Sequence, residues 1–428
     1  MRILEYSTNV REVLALAARR SEPDREVAAR VREILETVRR EGEEAVTTYT
    51  RQFDCRFIDS LGLRVSEREI NAARKLVKPG FLTSLRVASR NITRFHKKQF
   101  PVSWTLRDRG LVLRQRFLPL GRVGIYVPGG KAAYPSTVLM NALPARIAGV
   151  KEVVMVTPCN TEGKIVPEVL AAAAESGVTE IYRIGGAQAI AALAYGTESI
   201  RRVDKITGPG NAYVAAAKQM VFGLVGVDSI AGPTEVVVVA DEKAHPTFVA
   251  ADLIAQAEHD ESASPICITT SHSLARRINT EVDRQLERTS RKNVAQRAFD
   301  QNGVIIVVSS LPQAAEIVNG LAPEHLEVMV KNPARFAERI TTAGSIFLGE
   351  WATEALGDYV AGPNHTLPTR GTARFSSALS VLDFMRFTNI IDCTQKHFRT
   401  LAPHVEVLAE AEGLHGHAAS VRLRRGRK

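Results

Sequence analysis

Apolar residues change their spacing several times along this chain. From residue 26 to 53, EVAARVREILETVRREGEEAVTTYTRQF, they recur at helical intervals on a charged background, with Gly42 as a break. The spacing predicts a largely helical region from residue 1 to about 100. Residues 111–127, LVLRQRFLPLGRVGIYV, switch to alternating and then continuous apolar runs, the pattern of strands. Strand-like and helical stretches alternate from there. VVMVTP (153–158), IYRIGG (181–186) and VDKITGPG (203–210) form one series, each followed by a helical segment. After AGPTE (231–235) a second series runs VVVVAD, PICITT, VIIVVSS, LEVMV and SIFLG, with helices predicted at 245–259, 273–288, 311–320 and 333–341. Short, non-alternating strands separated by helices are the signature of parallel sheets buried on both faces. Two α/β domains are therefore expected, with a helical C-terminal piece from about residue 377.

Composition narrows the class. At 428 residues, 45% hydrophobic and 24% charged, the chain can build two or three ordinary globular cores. No apolar run approaches the roughly 20 residues that span a bilayer, and MRILEYSTNV lacks the apolar segment of a signal peptide. A cytoplasmic protein with no membrane partner is expected. Cys55, Cys159, Cys267 and Cys393 are scattered, with no C-x-x-C pair. That argues against disulfides and a thiolate zinc site, and predicts buried reduced thiols. Part of the +10 net charge sits in the tail, where five of the seven residues 422–428 are basic. Without basic-aromatic interleaving or a DNA-binding motif, this reads as a solvated tail with general attraction for anions, and no nucleic-acid partner.

Several stretches can carry chemistry. YVPGGKAAYPST (126–137), IGGAQAI (184–190) and TGPGNAY (207–213) each join a strand to a helix through glycines. Each can be a tight connection or a place where backbone and helix N-terminus meet an anion; none is the G-x-G-x-x-G fingerprint. In ADLIAQAEHDES (251–262), Asp252, Gln256 and His259 share one helix face, within about 60° at 100° per residue. That stripe can be solvated, or Gln256 and His259 can aim at one metal ion. LGDYVAGPNHTLPT (356–369) places Asp358, Asn364 and His365 in a turn-rich loop, and AEGLHGHAAS (411–420) carries Glu412, His415 and His417. In GLAPEHLEVMV (320–330), Glu324 and His325 are adjacent at the start of a strand, where successive side chains point to opposite faces. A surface loop and an acid/base pair both fit that segment.

Together these stretches closely resemble the histidinol dehydrogenase family. The markers are GPGNAYV, AGPTEVVVVAD, QAEH, APEHLE, GDYVAGPNHTLPT and the terminal EGLxxH, in order through nearly the whole chain. The resemblance implies NAD-dependent four-electron oxidation of L-histidinol to L-histidine through a bound L-histidinaldehyde. It implies one zinc ion per subunit, held by Gln256, His259, Asp358 and the other subunit's copy of His417. Tyr126, Gln188 and Asn211 fall at NAD-contacting positions. Thr234, His365 and Glu412 fall at substrate positions, with His325 and the metal ligands also touching substrate. Thr234 stands where Ser is frequent in the family; either hydroxyl donates and accepts a hydrogen bond. Asp252 and His415 carry no assigned role. His325 is the expected base for alcohol oxidation and Glu324 the expected activator of water for aldehyde oxidation. Their opposite directions suit two bases used in successive steps. No cysteine lies in any of these motifs, which speaks against a thiohemiacetal route.

The implied fold has two incomplete Rossmann-like domains, the smaller inserted in the larger, with N- and C-terminal helical extensions in an intertwined homodimer. Its parts are residues 1–21; 22–125 with 236–376; the NAD-contacting insert 126–235; and 377–428, reaching the partner subunit. The alternative is a paralogous zinc- and NAD-dependent dehydrogenase of another primary alcohol, such as a sulfonated diol. Glu412 favours histidinol, because a carboxylate suits a cationic amine and not a sulfonate.

Overall fold

Fourteen strands are found among the described residues. They are β1 (Arg2–Glu5), β2 (Trp104–Asp108), β3 (Leu111–Pro119), β4 (Arg122–Tyr126), β5 (Glu152–Thr157), β6 (Glu180–Arg183) and β7 (Lys205–Thr207), followed by β8 (Gly226–Val227), β9 (Glu235–Ala240), β10 (Ser264–Thr269), β11 (Val304–Val307), β12 (His325–Met329), β13 (Ser345–Leu348) and β14 (Met385–Cys393). The structure, a computed structural model, describes residues 1–17, 24–129 and 133–426. Gly130, Lys131 and Ala132 of the first glycine-rich turn, residues 18–21 of the expected N-terminal extension and residues 427–428 of the basic tail lie outside the described residues. Two compact units form, one from residues 1–99 and 120–384, the other from 100–119 and 385–428.

The first unit holds two all-parallel sheets. One has five strands in the order β6-β5-β4-β7-β8, the other six in the order β1-β11-β10-β9-β12-β13. Their strands read as unbroken apolar runs because helices cover both faces: Val236 to Ala240 of β9 and all of β11 are buried. Each buried Val or Ile contributes roughly 1.5–3 kcal/mol relative to exposure. This mixed α/β architecture matches the two predicted series.

Two expectations are corrected. The first residues are not helical: Arg2–Glu5 add in parallel to β11 at the rim of the six-stranded sheet. Four residues are too few to show a period. The C-terminal piece does not begin as helix: β14 pairs antiparallel with β3 along nine residues, and only then come helices Gln395–Ala411 and His415–Arg425. β14 and β3, with β2, make the three-stranded sheet of the second unit. The run 111–127 is accordingly two strands in different sheets, parted at Leu120–Gly121. Helices Arg25–Glu41 and Glu43–Phe53 share a core with the five-stranded sheet. The apolar stripe Val31, Ile34, Leu35 and Val38 meets Ile190 and Leu193 from beside that sheet in one core. Nothing within the stripe itself says which sheet it covers.

Among the described residues no helix is long and apolar enough to cross a membrane. The four cysteines are free, but only Cys55 and Cys267 are buried; Cys159 and Cys393 are half-buried, against the expectation of four buried thiols.

Candidate active site

The two sheets of the first unit frame a cleft of about 1540 Å³. Turns following β4 and β7 line one side through Gly129, Gly210 and Asn211. The other side is built from residues that precede or open strands: Thr234 before β9, Ser262 before β10, and Glu324 and His325 at β12. Ligand crevices in open α/β sheets normally form at carboxyl strand ends. Here only the five-stranded sheet obeys that rule, and the six-stranded sheet offers its amino ends.

Helix Pro246–Ala257 returns from β9 to that amino edge. Val249, Ala250, Leu253 and Ala257 bury its inner face, and Gln256 ends on it fully buried with His259 just beyond. Gln256 Nε2 donates to Thr234 Oγ1 at 2.6 Å. Thr234 in turn donates to Glu324 Oε2 at 2.6 Å, where the Glu235 N–H also donates at 3.0 Å. Gln256 Oε1 is buried without a hydrogen-bond partner.

Glu324 and His325 do not point apart. His325 Nδ1 lies 3.7 Å from Glu324 Oε2, and both side chains line the cleft. The alternation rule applies within a strand, but β12 begins at His325. Glu324 instead belongs to the entry bend after Ala322, which is left-handed at φ 50°. The bend is held by Gly344 N–H to Pro323 O and Ser345 N–H to Glu324 O, both 2.9 Å. A Cβ on Gly344 would stand 2.5 Å from the Glu324 carbonyl, so only glycine permits this approach.

His325 Nδ1 faces the Glu235 carbonyl at 3.2 Å, which accepts its proton and leaves Nε2 as the basic nitrogen. Nε2 is buried without a hydrogen-bond partner, 3.8 Å from Asp358 Oδ1. Burial pulls the imidazole toward neutrality, but Glu354, Glu324 and Asp358 outweigh it and hold His325 well above the usual histidine range. Burial raises Glu324. It also opposes the Asp358 carboxylate, but the surrounding imidazoles of His325, His365 and His259 outweigh it and keep Asp358 below its usual range.

His259, Glu354 and Asp358 present ligand atoms within 4.8 Å of one another. Burial keeps His259 below its usual range, in the neutral form that ligates metals. Asp358 sits in a single π-helical turn, Gly357–Ala361, and its carbonyl accepts from His365 Nδ1 at 2.9 Å. His365 Nε2 meets the Thr137 hydroxyl at 3.3 Å. Nitrogen and oxygen donors, with the orphaned Gln256 oxygen beside Thr234, suit a borderline divalent cation.

Glu354 was missed by sequence reasoning. It is 3% exposed, pushed up to about 8 by burial among neighbouring carboxylates, and its signal was i, i+4 spacing to Asp358. Glu327 was missed too. Its Oε1 accepts the Glu354 N–H at 2.7 Å and so anchors the segment that leads to Asp358. A carboxylate inside the apolar run HLEVMV was its signal, since buried charge needs a partner.

Comparison with known proteins bears directly on this geometry. The family model described as histidinol dehydrogenase matches residues 17–425. The chain belongs to the histidinol dehydrogenase family. The protein from Moorella thermoacetica named histidinol dehydrogenase is 52% identical over 400 residues, covering 93% of this chain and 94% of that one. The one from Bacillus cereus is 51% identical over 395 residues, covering 92% and 91%. The crystal structure of histidinol dehydrogenase from Elizabethkingia anophelis superposes with a TM-score of 0.93 at 37% identity, covering 99% of this chain and 98% of that chain. As a histidinol dehydrogenase family member, the chain is an oxidoreductase, and the sulfonated-diol alternative is not favoured.

Within this family member, Thr234, His259, Glu324, His325, Asp358, His365 and Asn211 all line the cleft, with Gln256 buried behind Thr234. Asn211 is exposed and caps helix Ala212–Val221 by accepting from Tyr213 and Val214 N–H. Tyr126 and Gln188 are buried. The Tyr126 hydroxyl accepts the Gly186 N–H at 3.2 Å and is pushed up to about 12 by burial, and Gln188 Nε2 has no partner. Glu412 and His417 belong to the second unit, where both are exposed. None of the four cysteines lines the cleft.

Proposed function

We propose that the protein oxidises L-histidinol to L-histidine in two NAD-dependent steps through a bound L-histidinaldehyde, as a cytoplasmic homodimer with shared active sites. The observation carrying this reading is that the Glu324–His325 pair and the His259–Glu354–Asp358 cluster open into one cleft, joined through Thr234 and Gln256. No nucleic-acid or membrane partner enters the reading.

Gln256, His259 and Asp358 would hold zinc, with His417 of the partner subunit as a further ligand and Glu354 close enough to share the load. Bound zinc would neutralise the carboxylate charge that now raises His325 and would anchor the amine and imidazole of histidinol. NAD bound along the turns near Asn211, Tyr126 and Gln188 would supply the hydride acceptor.

The chain's own groups handle the protons. His325 Nε2 takes the hydroxyl proton as the first hydride leaves the substrate carbon; its tautomer is set by the Glu235 carbonyl. Glu324, raised by burial, takes a proton from the water that adds to the aldehyde. Thr234 and the Glu235 N–H fix that carboxylate while its second oxygen remains for water. His365, and Glu412 of the partner, orient the cationic substrate.

Zinc-loaded protein assayed with L-histidinol and NAD at alkaline pH should form two NADH per histidine. Absence of NADH under these conditions overturns the reading. A sulfonated diol turned over in preference to histidinol would move the assignment to the alternative.

A further inference from the structure

Lys218, on helix Ala212–Val221, is 1% exposed. An ammonium in such a place is retained only with close partners. Its Nζ forms a close ion pair with Asp228 Oδ1 and donates to the Gly208 carbonyl at 3.0 Å. Asp228 Oδ2 accepts the Gly208 N–H at 2.8 Å. Both polar groups of one glycine are thus gripped by the two ends of one buried ion pair.

Gly208 has φ +108°, and a Cβ there would stand 2.1 Å from the Tyr126 carbonyl. It opens the turn whose Pro209, Gly210 and Asn211 line the cleft, and Asn211 caps the helix that carries Lys218. Turn, helix, lysine and glycine close a ring. Replacing a buried ion pair by apolar residues of similar volume is often neutral or stabilising, so stability alone is weak grounds for keeping one. What the ion pair adds is a fixed direction for the Gly208 peptides, and hence for the turn that follows.

We propose that Lys218 and Asp228 are positioning residues that hold the 208–211 turn in the shape that receives the dinucleotide. The inference rests on the NAD reading of the cleft and goes beyond it by naming the groups that set the turn. Neither residue lines the cleft; both act through Gly208.

The test compares K218M, which strands Asp228 without its cation, with K218M/D228L, which removes both charges. Full-length, metal-loaded protein is titrated with NADH by fluorescence, and urea stability, metal content and the KM for histidinol are measured alongside. Expected is an NADH Kd raised about tenfold or more in both, with histidinol KM and metal content within about twofold. The double variant should recover most of the stability lost by K218M without recovering NADH affinity. Affinity that returns together with stability makes the pair structural and overturns the proposal. So does NADH binding by K218M as tight as that of the unaltered protein, while the NAD reading survives. An unaltered protein that binds no NADH overturns both. Where neither variant folds, D228N decides: NADH affinity weakened about threefold or more supports positioning, and unchanged affinity overturns it.

Discussion

Thr234 donates its hydroxyl hydrogen to Glu324 at 2.6 Å and accepts one from Gln256 at 2.6 Å. One small side chain therefore ties the expected water-activating carboxylate to an expected metal ligand. Thr234→Ser keeps both bonds and should retain near-full activity. Thr234→Val, similar in shape, takes the acceptor from the Gln256 amide and leaves Glu324 Oε2 with only the Glu235 N–H. We expect a loss of about 10- to 100-fold in kcat/KM, equivalent to about 1.4–2.7 kcal/mol, checked by steady-state assays.

The two bases should separate by half-reaction. His325→Asn removes the nitrogen facing the substrate hydroxyl and should depress both oxidations by about 10²–10⁴-fold. Glu324→Gln keeps the acceptor oxygen but not the basicity, and should spare alcohol oxidation more than oxidation of supplied histidinaldehyde. Equal losses in both half-reactions would refute this division of labour.

Metal binding should depend on the orphaned Gln256 oxygen and on the carboxylates around His325. Chelator treatment should abolish turnover, and zinc should restore it. Gln256→Ala and Asp358→Ala should each lower zinc affinity about 10- to 100-fold, measured by competition with a chromophoric chelator. Glu327→Leu should weaken zinc without touching it, because it releases the Glu354 N–H that anchors the Asp358 segment. Glu327→Gln, which keeps the acceptor oxygen, should recover the affinity.

A shared site can be complemented. Assayed by formation of histidine, the His417→Ala and Glu324→Gln homodimers should each be nearly inactive. In a hybrid, one site carries both lesions and the other neither. Denatured and refolded together in equal amounts, they should regain about a quarter of the unaltered rate, from the half of dimers that form as hybrids. No recovery, with hybrids shown to form, would place His417 outside the partner's site.

One stability effect should follow pH. Burial raises Asp54 from 3.8 to about 6, against a bond from the Gly185 N–H. The folded state therefore holds this proton more tightly than the unfolded chain. The associated stability is fully present below the unfolded pKa and is lost as pH rises through about 6. Asp54→Asn cannot ionise and should gain on the unaltered protein across that window, by at most about 3 kcal/mol. Urea midpoints of the metal-free proteins at pH values on either side of the window would measure it; a constant difference would exclude Asp54 as the source.

Much of this protein was legible along the chain. The strand–helix alternation predicted parallel α/β sheets because buried strands must be apolar throughout. Motif order carried Thr234, Gln256, His259, Glu324, His325, Asp358 and His365, and the structure gathers the first unit's share into one region. Adjacency alone misdirected: Glu324 and His325 were expected on opposite faces, and an entry bend outside the strand turns them into the same cleft. β1 and β14 escaped notice because a strand is defined by its neighbour as much as by its own residues.

Residue type and spacing determined which side chains are available for chemistry, since hydrophobic period and motif order are local properties. Only tertiary structure decided that the amino ends of the six-stranded sheet face the carboxyl-end turns of the five-stranded one. It alone brought Glu354 beside His259 and gave Lys218 its grip on Gly208. Those relations depend on distances between segments far apart in the chain, and packing sets such distances where no local pattern records them.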